Sequence, residues 1–308
     1  MDIACLRFLP QNHHAGTAVK NRDLDAIYPG AWSVFKMRSI ALGHVLFAIG
    51  LAGLGVLSLG SGDFAYTWQP VPAWVIWREG LAYASGLLLV GAGVGMLVKS
   101  IARRSTLIMT IYLATWVLLL QSPRVAHAPG NVGVWLGFCE NLVLVCGGWI
   151  LFLSLTGSDR NLRPKFLADP RVPRLLFGAA CVVLGLSHFA YLDATAGMVP
   201  AWLPDRAGFA YLTGAGHFAA GLAILFGVVP RLASTLEASM ISTFVLLLHA
   251  PGVSSQPTSR LQWTMLFVAS AIAGAAWVAA GSLRESAWGW ARKSPSRVRE
   301  TLNAEIGS

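Results

Sequence analysis

The 308 residues are too apolar for an ordinary soluble protein, because 55% are hydrophobic, only 12% are charged and the mean hydropathy is +0.60. The net charge of +9 falls mostly on one side of the apolar segments, so it indicates membrane topology and argues against nucleic-acid binding. The four cysteines form no CxxC pair, which argues against dithiol chemistry. We therefore predict an all-α integral membrane protein.

Eight apolar stretches are long enough to cross about 30 Å of hydrocarbon as helices. In chain order they lie at 39–60, 80–98, 105–121, 134–155, 174–190, 208–229, 232–249 and 262–283. Nineteen of the 23 Lys and Arg residues lie on one side of these spans, and four lie on the other: Arg78, Arg124, Arg206 and Arg260. Because basic residues accumulate on the cytoplasmic side, both termini are predicted to be cytoplasmic.

Three polar segments flank the apolar ones. Residues 1–38 contain no continuous apolar h-region, so they predict a disordered cytoplasmic arm and not a cleaved signal peptide. Residues 157–173 form a basic linker, and residues 284–308 form a basic tail. Both are predicted to lie in the cytoplasm, where they can contact anionic lipid headgroups.

The chain contains an internal repeat, since residues 71–155 read again at 199–283 with a spacing of 128. The motif Val71-Pro72-Ala73-Trp74 returns as Val199-Pro200-Ala201-Trp202. Each copy holds an even number of spans, so both enter the membrane in the same orientation. We predict two parallel four-helix bundles, at 39–156 and 174–283.

Ionisable side chains inside the spans are the candidates for function, because the bilayer excludes them unless they are paired or face a cavity. Glu140 lies in the fourth span and His217 near the middle of the sixth, while His188 and His249 are predicted at the outer ends of the fifth and seventh. His44 in the first span and Glu237 in the seventh are the other buried candidates.

The two halves differ at these positions. Around residues 64–66 the spacing is 125, since Phe64-Ala65-Tyr66 returns as Phe189-Ala190-Tyr191, so the counterpart of His188 is Asp63. At the spacing of 128, the counterparts of His217, His249, Glu140 and Glu237 are Leu89, Gln121, Val268 and Met109. We therefore predict one asymmetric site, with His188, His217, His249 and Glu140 as ligand-binding or proton-handling groups. The alternative is that the histidines only make interhelical hydrogen bonds. No metal-ligand spacing is present, so no metal site is predicted.

Aromatic and proline residues mark the outer loop of each half, at 64–74 and 188–204. This composition is typical of a segment that lies along the headgroups, and a lid over a lipid-soluble ligand is the alternative. Arg78 and Arg206 recur at equivalent positions and are predicted to anchor these loops near anionic headgroups or a substrate.

Three stretches of the second half resemble the DoxX family of bacterial membrane proteins: Gly185 to Phe189, Met198 to Pro204, and Tyr211 to His217. The first half keeps the VPAW element but has no histidine at the positions equivalent to His188 and His217. The resemblance implies a four-helix bundle in each half and a location in the bacterial cytoplasmic membrane. The family's namesake resembles a subunit of a thiosulfate:quinone oxidoreductase.

We expect an accessory or anchoring subunit in a redox or quinone-linked process, without an enzymatic activity of its own. The expected cofactor is a quinone, and the expected partners are membrane lipids, a redox partner subunit and a second copy of the chain. Two other functions stay open at this point. One is a small-solute permease with a cleft between the repeats, and the other is a structural or chaperone-like membrane partner without a small-molecule site.

Overall fold

The computed structural model describes residues 31–156, 167–284 and 286, and within these ranges the regular structure is entirely helical. Eight of the described helices are long and apolar enough to cross a membrane, which confirms the predicted all-α multi-pass character. From Ser39 onward the described chain forms one compact unit.

The helices of the first half are α1 (Ala31–Ser61), α2 (Arg78–Leu97), α3 (Ala102–His127) and α4 (Val132–Thr156). Those of the second half are α5 (Arg171–Ala190), α6 (Arg206–Phe226), α7 (Pro230–Ser255) and α8 (Arg260–Ser282). The outer loop of the first half contains the single turn Tyr66–Trp68, and that of the second half contains the short helix Leu192–Met198.

Some described helices extend beyond the predicted spans. Residues 31–38, which belong to the predicted arm, are helical in the described part of α1. Helix α5 begins at Arg171, inside the predicted linker. The rest of the arm (1–30), most of the linker (157–166) and most of the tail lie outside the described residues.

Helices α3 and α7 are longer than predicted, because each continues through a π-helical turn. The turns are Val117–Gln121 and Val245–His249, and each closes with an i→i+5 bond, from Ser122 N–H in α3 and from Ala250 N–H in α7. A proline follows one residue later in both helices. Because proline donates no backbone hydrogen bond, the widened turn carries the helix past it. His249 therefore lies within α7, six residues before its end.

Two local features of the structure recur at the sequence spacing of 128. The indole N–H groups of Trp135 and Trp263 donate to the carbonyls of Pro129 and Pro257, both at 2.8 Å. The π-helical turns are also 128 residues apart.

The last helix of each half is the most buried of its half, with 56% of the apolar stretch of α4 inside the protein. Helix α4 packs on α3, α5 and α8, and α8 also packs on α7. Buried residues make up 78% of the apolar stretch of α8, more than in any other described span. Glycine allows the close approach of α1 to α8, since a Cβ on Gly274 would lie 2.2 Å from the backbone nitrogen of Phe47. The first helix of each half thus packs on the last helix of the other.

Candidate functional site

A cavity of about 340 Å³ lies among the helices of the second half, and His188, His217, His249 and Glu140 all line it. Helices α5, α6, α7 and α8 and the short helix Leu192–Met198 form most of its wall. The first half contributes Trp68, Leu136 and Glu140. The four residues singled out in the sequence are therefore brought together at one cavity, which is asymmetric with respect to the repeat.

The most buried polar group at the cavity is a histidine–carboxyl pair. His217 Nδ1 of α6 lies 2.6 Å from Glu237 Oε1 of α7, and the two side chains are 3% and 0% exposed. The second carboxyl oxygen, Oε2, is buried and has no hydrogen-bond partner. Since an uncompensated buried charge costs several kcal/mol, the pair is favoured in an overall neutral state, either imidazolium with carboxylate or imidazole with carboxylic acid.

His188 lies beside this pair and is oriented by α6. Its ring centroid is 5.1 Å from that of His217, edge to face, and its Nδ1 is 3.1 Å from Thr213 Oγ1. The Thr213 hydroxyl is within 2.9 Å of the Phe209 carbonyl and donates to it, so it accepts a hydrogen bond from His188 Nδ1. Close packing of α5 on α6 supports this geometry, because a Cβ on Gly214 would lie 2.7 Å from the His188 Cβ.

His249 reaches the same cavity from the π-helical turn of α7. It is half-buried, and the turn ends at this residue. An α-helical turn would have one residue fewer between the flanking helical segments and would rotate His249 by about 100° around the axis. The π-helical turn therefore sets the direction of the His249 side chain.

Glu140 enters from α4, which belongs to the other half. It is half-buried and lies beside the indole of Trp68. Trp68 Nε1 is buried without a well-formed hydrogen bond, although its ring borders the cavity with Glu140. This part of the wall therefore places a carboxyl group next to apolar surface.

The equivalent region of the first half is closed by the chain itself. Gln69 is 1% exposed, and its amide nitrogen lies 3.0 Å from Ser85 Oγ and 3.2 Å from the Tyr112 hydroxyl. Ser85 is the counterpart of Thr213, so the loop glutamine of the first half makes the contact that His188 makes in the second. At the spacing of 128, the counterpart of Gln69 is Gly197, and a Cβ added to Gly197 would have no atom within 4 Å.

The repeated arginines anchor the loops, as predicted in part. Arg78 Nε lies 3.4 Å from the Val71 carbonyl, and Arg206 Nε lies 2.9 Å from the equivalent Val199 carbonyl. Arg78 also pairs with Asp63. Neither arginine lines the cavity, and their predicted proximity to headgroups or a substrate is still a prediction.

The sequence reasoning missed Glu237 and Thr213 as members of the site. A signal for Glu237 was present. His217 lies nine residues before the end of α6 and Glu237 seven residues after the start of α7, and the two helices are joined by a short loop. At about 1.5 Å per residue both lie at nearly the same depth. Thr213 gave no signal, because its role depends on the rotation of α5 against α6.

No group of three or more His, Cys, Asp or Glu side chains in the described ranges could hold a metal ion. Comparison with known proteins gives no match to any family model, curated protein or solved structure. The chemistry of the cavity is therefore the basis for its functional interpretation.

Proposed function

We propose that this chain is a membrane protein that binds a small, lipid-soluble ligand with a polar head in the cavity beside His188 and His217. The observation that carries the proposal is the convergence of three histidines and Glu140 from four helices on one cavity. Ionisable groups within membrane spans are costly, so four of them at one cavity favour a functional role.

The cavity wall fits an amphipathic ligand. Leu136, Leu184, Phe244 and Ile272 give it an apolar surface, and the histidines supply a few hydrogen-bonding groups. A volume of about 340 Å³ lies at the lower end of the range for small-molecule sites. A quinone head group, in its oxidised form or its reduced quinol form, is our candidate, with His188 and His217 as the residues that would hold its oxygen atoms. Such a group would supply two-electron redox chemistry when bound.

This role agrees with the resemblance to DoxX proteins. We propose a duplicated four-helix protein of the bacterial cytoplasmic membrane with both termini in the cytoplasm. It would serve as an accessory or anchoring subunit that presents a quinone to a redox partner subunit. The buried Gln69 of the first half and the cavity among the helices of the second half suit this division of roles.

A permease is the second candidate, and the position of Glu140 favours it. Glu140 belongs to the first half, yet it faces a cavity built mainly by the second half. A small solute could therefore pass between the halves at this point. Uptake of labelled solutes into proteoliposomes would distinguish a carrier from a subunit that retains its ligand.

Organic extraction of the purified protein tests the proposal. Ala269 lines the cavity and is 8% exposed, so Ala269→Leu fills it, whereas Ala215→Leu adds the same bulk on the exposed face of α6. We expect a lipid-soluble compound to co-purify with the wild type and with Ala215→Leu, and to be lost from Ala269→Leu. Equal recovery from all three proteins, or from none, would count against a ligand site.

A further inference from the structure

We propose that the cavity recognises an un-ionised hydroxyl group, as in a phenol or a quinol, in preference to a carbonyl or an ether oxygen. This inference rests on the proposed ligand site and names the chemistry that the site selects. It follows from the hydrogen-bonding state of the two neighbouring histidines, each of which has one ring nitrogen engaged by the protein.

His217 presents a donor. In the imidazolium–carboxylate form, both ring nitrogens of His217 carry protons. In the imidazole–carboxylic acid form, the Glu237 carboxyl donates to Nδ1, so the ring proton is on Nε2. A third neutral form, with the carboxyl proton on Oε2 and the ring proton on Nδ1, would leave the buried Oε2–H without a hydrogen-bond partner and is disfavoured by about 1–3 kcal/mol. The two favoured neutral arrangements therefore place N–H at Nε2. Removing that proton would leave a net negative charge on a pair that is 3% and 0% exposed, which is costly in a membrane interior. The Cys181 thiol, which also faces the Glu237 carboxyl, adds only a weak donor.

His188 presents an acceptor. The Thr213 hydroxyl lies 2.9 Å from the Phe209 carbonyl and 3.2 Å from the Ala210 carbonyl, and donation to either one leaves its oxygen to accept from His188 Nδ1. The Ala210 carbonyl also interacts with the His188 ring, and a carbonyl can only accept, so it favours the same protonated nitrogen. With its proton on Nδ1, the neutral imidazole has a lone pair on Nε2. Thr213 thus acts as a positioning residue that selects the tautomer of His188.

A donor and an acceptor therefore belong to two neighbouring rings that both line the cavity and whose centroids are 5.1 Å apart. A hydroxyl group satisfies both at once, because its oxygen accepts from His217 Nε2 and its hydrogen is donated to His188 Nε2. A carbonyl or ether oxygen satisfies only His217 and leaves the lone pair of His188 unpaired. One buried unpaired polar group costs about 1–3 kcal/mol, which corresponds to roughly a tenfold or larger loss of affinity.

The test measures affinities for three probes of matched shape, durohydroquinone, its dimethyl ether and duroquinone, by anaerobic calorimetry with the full chain in lipid nanodiscs. Empty nanodiscs correct for partitioning. We expect the hydroquinone to bind roughly tenfold more tightly than either of the others. A simple phenol, 2,3,5,6-tetramethylphenol, should share this preference over its methyl ether, which separates recognition of one hydroxyl from recognition of a quinol.

The Thr213 variants connect the preference to the tautomer of His188. Thr213→Ser keeps an accepting hydroxyl and should keep the preference, whereas Thr213→Val removes it and should bring the affinities for hydroquinone and ether close together. A loss of folding alone would weaken all probes equally and would not change their ratio.

The two proposals fail in different ways. Equal affinity of the wild type for hydroquinone and ether, or tighter binding of duroquinone, would overturn hydroxyl recognition and leave the ligand site intact. Retention of the preference in Thr213→Val would overturn the role of Thr213. Absence of binding by every probe, together with a clean apoprotein on extraction, would overturn the ligand site itself.

Discussion

Removal of His217 alone should be far more harmful than removal of His217 and Glu237 together. In the first half, apolar residues occupy the two equivalent positions, since these are Leu89 and Met109, and both are 0% exposed. The variants to compare are His217→Leu, Glu237→Met and the double variant, which transfers the pair of the first half into the second.

The magnitude follows from the burial of the pair. His217→Leu leaves the carboxyl of Glu237 buried without its 2.6 Å partner. An unsatisfied neutral carboxyl costs about 1–3 kcal/mol, and a carboxylate that stays charged costs about 3–5 kcal/mol. The double variant removes both polar groups. Its free energy of unfolding should lie within about 1 kcal/mol of the wild-type value, since well-packed apolar residues often replace a buried pair without loss of stability.

Reversible unfolding in mixed detergent micelles, followed by the fluorescence of the 12 tryptophans, measures these free energies in a double-mutant cycle. His249→Gln serves as the control, because it introduces the first-half residue at the cavity without breaking a carboxyl pair. A double variant that loses the sum of the two single losses would refute the reasoning, since it would show that the two side chains are not coupled.

Two further predictions concern the loop and the helix packing. The pKa of Asp63 is below its usual value, because the Phe64 N–H, Arg78 and Arg260 outweigh the opposing effect of burial. Asp63→Asn should therefore lower stability at pH 7. Its difference from the wild type should shrink as the pH falls below about 4 and through the lowered native pKa, where Asp63 becomes protonated. A pH-independent difference in thermal unfolding would contradict this ion-pair role. Gly274→Leu should prevent folding or strongly lower the melting temperature, because the added Cβ would meet the backbone of α1. The control Gly91→Leu should be tolerated, since a side chain at Gly91 would enter open space. Equal melting temperatures of the two variants would show that α1 does not approach α8 this closely.

Apolar length and composition were sufficient to predict the number of spans, because a membrane helix is a local feature of the sequence. The helix ends were less predictable. The π-helical turn before Pro251 carries α7 beyond the predicted end at residue 249, and hydropathy alone does not reveal it. A long helix that continues past a proline depends on a local change of helix type.

The convergence of the candidate residues required the three-dimensional structure. Comparison of the halves pointed to His188, His217, His249 and Glu140, since the opposite half of the chain has neither a histidine nor a glutamate at the equivalent positions. Their meeting at one cavity depends on α4 packing against helices of the other half. The closure of the first half by Gln69 was equally inaccessible, because a loop glutamine gives no sign of being 1% exposed.

Photoaffinity labelling with an azidoquinone, followed by peptide mapping, tests the cavity most directly. Labels should concentrate on residues that line it, such as Met198 and Met265, and should disappear in Ala269→Leu but not in Ala215→Leu. Labels confined to outward-facing residues such as Leu246, at equal intensity in all three proteins, would contradict a ligand site between these helices.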